Sequence, residues 1–341
     1  MRAVAAGFLL AMSLVVPAAA ETLGFAVSSF ARDIARDDAD CPFGLALDRI
    51  ETFLPTLDAA ERARLLRPEN GAELLKKSML GAAGQNLCRE PDSVTHPPQR
   101  LWQGRRARGI ALDEAASCAH AKFAEGVDNQ LQRVFGCMKD YRTGQTNLIY
   151  DNFMREGQST ILLEVTGVDD RRADAAVGVA FYAGADPMAV GAQGNVLPDA
   201  SLALDPDPHF GARTTGRIED GVLVTDPVDV TLKLVFATFR LEYRFRAARL
   251  RLAIDDDGNA VGGFYAYWDL ENLYQPYRVS GGVGTQVDCP SLYAALKANA
   301  DGFPDATGAC TALSAAFDVK AVRAFVIHPV NEASAAPAAP H

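Results

Sequence analysis

Apolar and polar positions divide the chain into stretches of different period. From Glu21 to about Tyr141 the spacing is helical and broken by loops. Asp58-Ala59-Ala60-Glu61 reads as a capping box opening a helix through Leu66, which Pro68 ends. Asn70-Gly71-Ala72-Glu73 marks a second helix start, and further helices are expected over residues 113–124 and 129–138. From Thr160 the period changes to two. Residues 161–165, 177–182, 217–224 and 230–236 read as strands, with Asp220-Gly221 as a turn. Between them, residues 184–208 hold prolines that remove backbone donors, so this excursion is expected to be surface loop.

The strictest alternation begins at Phe239. Phe239, Leu241, Tyr243 and Phe245 alternate with Arg240, Glu242, Arg244 and Arg246. After Ala247-Ala248 the phase flips, and Leu250, Leu252 and Ile254 become the apolar set. A one-residue slip turns every side chain over, so a bulge or break is expected near Ala247. Asp256-Asp257-Gly258-Asn259 then reverses the chain into a strand over 260–268. Cys289-Pro290-Ser291 opens a helix over 292–300, and 321–327 reads as a last strand.

These patterns predict a mainly β protein. Its core is an antiparallel β-sandwich over 147–280, preceded by a helical, loop-rich N-terminal region over 21–146. A small disulfide-bonded α/β subdomain follows over 281–330, then a disordered tail over 331–341. The first twenty residues read differently: Arg2, an apolar run, and Pro17-Ala18-Ala19-Ala20 before Glu21 have the form of a secretory signal peptide.

Composition sharpens the compartment. With 49% hydrophobic and 22% charged residues the chain can build a core. A formal net charge of −10 argues against a general nucleic-acid binder. No later apolar run reaches the ~20 residues of a membrane helix. In a periplasmic or secreted protein the six cysteines are expected as three disulfides. The simplest pairing joins neighbours: Cys41 with Cys88, Cys118 with Cys137, and Cys289 with Cys310.

Several familiar signatures are missing. There is no Gly-x-Ser-x-Gly elbow, His-Glu-x-x-His pair, Walker loop or dinucleotide fingerprint, and no cofactor or metal is expected. Three constellations have chemical potential. Arg240, Arg244 and Arg246, with Arg249 and Arg251 beyond the flip, offer a cluster for carboxylates or phosphates. The plainer account is a solvated sheet face with arginines paired to neighbouring acids. Tyr265, Tyr267 and Trp268 would suit a flat ligand such as a sugar ring, or simple burial on both faces. Nearby Asp269 and Glu271, two apart on one strand, would lie about 7 Å apart, within the span of an inverting glycosidase. His120 and Asp128 form the third group, for which helix capping is the simpler role of the acid. The leading expectation is an exported, non-enzymatic binding protein for a small ligand, glycan or envelope partner. The alternatives are an exported carboxylate-dependent hydrolase using Asp269, Glu271, His120 and Asp128, or a structural envelope protein.

Overall fold

The computed structural model describes residues 20–32, 38–112, 118, 122–236 and 239–329. The expected leader to residue 19, His120, most of the expected 113–124 helix and the tail from 331 lie outside them. The strands are β1 (Glu21–Arg32), β2 (Ile161–Val168), β3 (Ala173–Ala183), β4 (Ala200–Ala203), β5 (Ala212–Glu219) and β6 (Val222–Thr225). They continue with β7 (Val228–Phe236), β8 (Phe239–Ile254), β9 (Ala260–Asp269), β10 (Gly302–Pro304) and β11 (Cys310–Ile327).

The protein is mainly β, but its strands do not form two stacked sheets. The pairing runs β1-β2-β3-β5-β6-β8-β9-β11, and β11 pairs back onto β1, all antiparallel. The sheet therefore closes into a barrel. A strand with one wet and one buried face suits a sandwich or a barrel equally, so the alternation of β8 could not separate them. What separates them is β1 and β11. β1 comes from the stretch expected to be helical, and β11 is an 18-residue strand from the expected C-terminal subdomain. All three stretches thus contribute to one sheet.

Local chemistry explains the irregularities. Asp220 and Gly221 turn between β5 and β6 with φ of 51° and 80°, the left-handed pair a tight hairpin needs. Pro227 lacks an N–H and interrupts what would be one strand, leaving β6 and β7 as successive partners of β8. The expected phase flip is a bulge: registers shift between Arg246 and Arg249 on one side of β8 and between Val228 and Val230 on the other.

The barrel interior is filled. Phe30 stacks on Phe317 at 4.5 Å, and Phe245 and Phe264 meet edge to face at 5.0 Å. Small voids remain, about 10 Å³ between Val27, Phe181, Leu250 and Val319 and about 20 Å³ beside Phe30, Leu232 and Phe317, both too small for a ligand.

Helices surround the barrel: α1 (Arg49–Phe53), α2 (Ala59–Leu65), α3 (Gly71–Ser78), α4 (Gln130–Phe135), α5 (Lys139–Arg142), α6 (Gln145–Arg155), α7 (Leu270–Ser280) and α8 (Cys289–Asn299). Asp58 caps α2 by accepting from the Glu61 amide at 2.9 Å, but the Glu61 carboxylate pairs with Arg64 and Lys77 instead of reaching back, so only half of the expected box forms. Asn70 makes no side-chain cap, whereas Asp48 and Glu51 form a full capping box on α1. Among the described residues no helix is long and apolar enough to cross a membrane.

All six cysteines are paired, but not with their neighbours. The bonds are Cys41–Cys137, Cys88–Cys289 and Cys118–Cys310, with sequence separations of 96, 201 and 192. Sequence proximity misleads here because N-terminal loops lie against α8 and β11, bringing distant thiols together.

Candidate functional site

The site is built at one end of the barrel, around Arg32. In β1 the pairing with β11 shifts between Val27 and Ser29. This irregularity resets the alternation, so that Phe30 and Arg32 follow Val27 into the barrel. Helix α6 then holds the end of the strand. Asn147 accepts from the Arg32 amide at 3.3 Å and donates to its carbonyl at 3.4 Å. Asp151 accepts from the Phe30 amide at 3.3 Å and from the Ser29 hydroxyl at 3.0 Å. Burial pushes the Asp151 carboxyl up, against these two hydrogen bonds.

Arg32 is only 6% exposed, and among the described residues its guanidinium has no ion pair. Its Nε is buried without a hydrogen-bond partner. Aromatic rings surround it instead: Cζ lies 5.0 Å from the centre of Tyr141, 5.1 Å from Tyr150 and 5.3 Å from Trp268. Each such contact contributes on the order of 1 kcal/mol, short of the several kcal/mol needed to bury a charge. Burial opposes the charge and the Tyr141, Tyr243, Tyr150 and Tyr277 oxygens favour it, leaving the guanidinium firmly protonated.

The guanidinium lines a cavity of about 430 Å³. Tyr141, Tyr150, Tyr243 and Tyr277 share its wall with Ile149, Leu273 and Pro276. The Tyr141 and Tyr277 hydroxyls are 3.1 Å apart, while the buried Tyr243 hydroxyl meets no hydrogen-bond geometry among the described residues. Burial pushes the Tyr141, Tyr243 and Tyr277 hydroxyls up, so each stays neutral and able to donate at pH 7. Asn272 orients the cage by accepting from Trp268 Nε1 at 3.0 Å and from the Arg244 amide at 2.8 Å. A protonated guanidinium and phenol donors around a cavity of this size suit a carboxylate or phosphate.

Of the residues singled out by sequence, Trp268 alone joins this cage. Arg240 and Arg244 are exposed, and Arg244 pairs with Glu242 on its own strand. Arg246 lies over Phe303 at 4.9 Å and pairs with Asp269 at 3.3 Å. Tyr267 is fully buried on the outer face of the barrel, beside Leu112 and Phe303. Tyr265 packs in the same cluster, so the pair forms no open platform.

Asp269 and Glu271 do not share a strand, because β9 ends at Asp269 and α7 begins with the next residue. Asp269 caps that helix, accepting from the Asn272 amide at 2.9 Å. Glu271 pairs with Arg278 at 2.7 Å and accepts from the Tyr293 hydroxyl. Asp128 is buried, accepts from the Leu112 amide at 2.8 Å and pairs with Lys122 at 3.2 Å.

One further cluster resembles a nucleophilic arrangement. Ser291 Oγ donates to Asp288 Oδ2 at 2.5 Å and lies 2.7 Å from His96 Nδ1. The hydroxyl stands between ring and carboxylate, so the acid does not orient the imidazole behind the serine as a catalytic triad requires.

Arg32 escaped notice in the sequence because β1 does. The alternation of Leu23, Phe25 and Val27 was the available signal, with a charged residue inside the strand at its end. Comparison of the chain with family models, with curated proteins and with solved structures finds no match.

Proposed function

We propose that this is an exported, disulfide-tied binding protein without catalytic activity, which holds a small anionic ligand in the cavity at the barrel end. The observation that carries the reading is Arg32: a buried cation, caged by tyrosines, with no ion pair among the described residues and a cavity beside it. An anion entering there gains a charge-assisted contact and relieves the uncompensated charge. The candidate carboxylates engage separate partners, which supports binding over carboxylate hydrolysis. The glycan reading draws less support, since Tyr265 and Tyr267 pack in an outer-face cluster.

Trp268 in the cage provides the readout. Titration with butyrate and with inorganic phosphate is expected to change tryptophan emission. Arg32→Met should weaken binding roughly tenfold or more, as loss of a charged hydrogen bond implies. Because Met removes an unpaired buried charge while keeping bulk, the variant's Tm should not fall. Equal binding by wild type and Arg32→Met, or no response to either anion, overturns the reading.

A further inference from the structure

We infer that the anion is the C-terminal carboxylate of a short peptide, whose basic N-terminal end occupies a second, adjoining cavity; this rests on the anion-binding reading of Arg32. The second cavity measures about 350 Å³ and shares Lys139, Asp140, Gln286 and Val287 with the first. The two spaces are thus neighbours along one wall, each within the ordinary range for small-ligand pockets.

Their charges differ. The first cavity has Arg32 at its base. To the Lys139 and Asp140 that both cavities share, the second adds Asp48, Glu51 and Asp288 against Arg100, an acidic excess. A ligand filling both must be anionic at one end and cationic at the other. A dicarboxylate would set its second anion beside Asp48 and Glu51, and a simple fatty anion would leave the acidic end unmatched.

The intervening surface suits a peptide chain. Among the described residues the side chains of Gln286 and Lys139, on the shared wall, have no hydrogen-bond partner, leaving an amide and an ammonium for backbone carbonyls. Around them Leu45 and Leu47, each 39% exposed, and the apolar wall of Ile149, Leu273 and Pro276 offer contacts for aliphatic side chains. With about 3.4 Å per extended residue, two to four residues span two adjoining cavities of this kind.

The test compares three probes by tryptophan fluorescence: the tripeptide lysyl-alanyl-leucine, the same tripeptide with an amidated C-terminus, and butyrate. The free tripeptide is expected to bind roughly tenfold tighter than butyrate, and amidation should remove that advantage. Glu51→Gln, a change confined to the second cavity, should weaken the free tripeptide by a few fold and leave butyrate unchanged. Tripeptide binding no tighter than butyrate, with butyrate still dependent on Arg32, overturns the peptide inference alone. Failure of every probe overturns both it and the anion-binding reading.

Discussion

Asp301 shows how far burial alone can move a single group. Its carboxyl is 3% exposed, and burial pushes its pKa up to about 6, helped by the nearby charge of Asp128 and opposed by two hydrogen bonds from Ser314. A carboxyl raised in this way holds its proton in the folded state longer than in the unfolded chain. Its contribution to stability is therefore complete below about pH 4 and is lost as pH rises through about 6. Two units correspond to about 3 kcal/mol. Urea denaturation of Asp301→Asn, disulfides intact, should gain on the wild type by about that amount between pH 4 and pH 7; a constant difference would show that the group titrates normally. Arg32 is the counterpart, a cation buried with no ion pair among the described residues. Neither property was legible in the sequence, since both Asp and Arg are ordinarily surface residues and only packing reveals the exceptions.

At the scale of elements, periodicity was informative wherever a strand or helix carried its own signal. The phase flip in β8 announced its bulge, and the structure places Ala247 there with φ of 48°. An alanine in the left-handed region costs about 1 kcal/mol that glycine avoids. Ala247→Gly is accordingly expected to raise unfolding free energy by about 0.5–1 kcal/mol, measured by urea titration; a loss of stability would mean the methyl's packing outweighs the strain. Cap signals were equally local, as Asp58 shows on α2. Periodicity carries no such signal where one element gives way to another. Asp269 looked like a strand residue paired with Glu271, but it is the cap of α7. The helices α5 and α6, which form the outer wall of the cavity, had no distinct sequence signature, although Tyr141 and Tyr150 within them complete the cage.

The whole molecule is set by closure and cross-links. The disulfides join residues whose Cα atoms lie 5.8, 5.0 and 6.4 Å apart, within ordinary disulfide geometry. Each closes a loop of roughly a hundred residues or more, so each constrains the unfolded chain by about 4–5 kcal/mol in the loop-entropy account. Peptide mapping without reductant should recover Cys41–Cys137, Cys88–Cys289 and Cys118–Cys310; neighbour-paired peptides would contradict the fold. The Cys88→Ala, Cys289→Ala double variant should lose about 2–5 kcal/mol of stability. The sequence by itself determined what depends on near neighbours: the β character of the centre, the turns, the caps, the bulge, and an even set of cysteines suited to an oxidising compartment. Tertiary structure alone decided three things: that β11 returns to β1 and closes a barrel, which cysteines meet, and that Arg32, Tyr141, Tyr243 and Tyr277 face one cavity. The physical reason is separation along the chain. Periodicity and capping act over a few residues, whereas most of these contacts join positions about a hundred or more residues apart, where many pairings satisfy the same hydrophobic pattern and packing selects one.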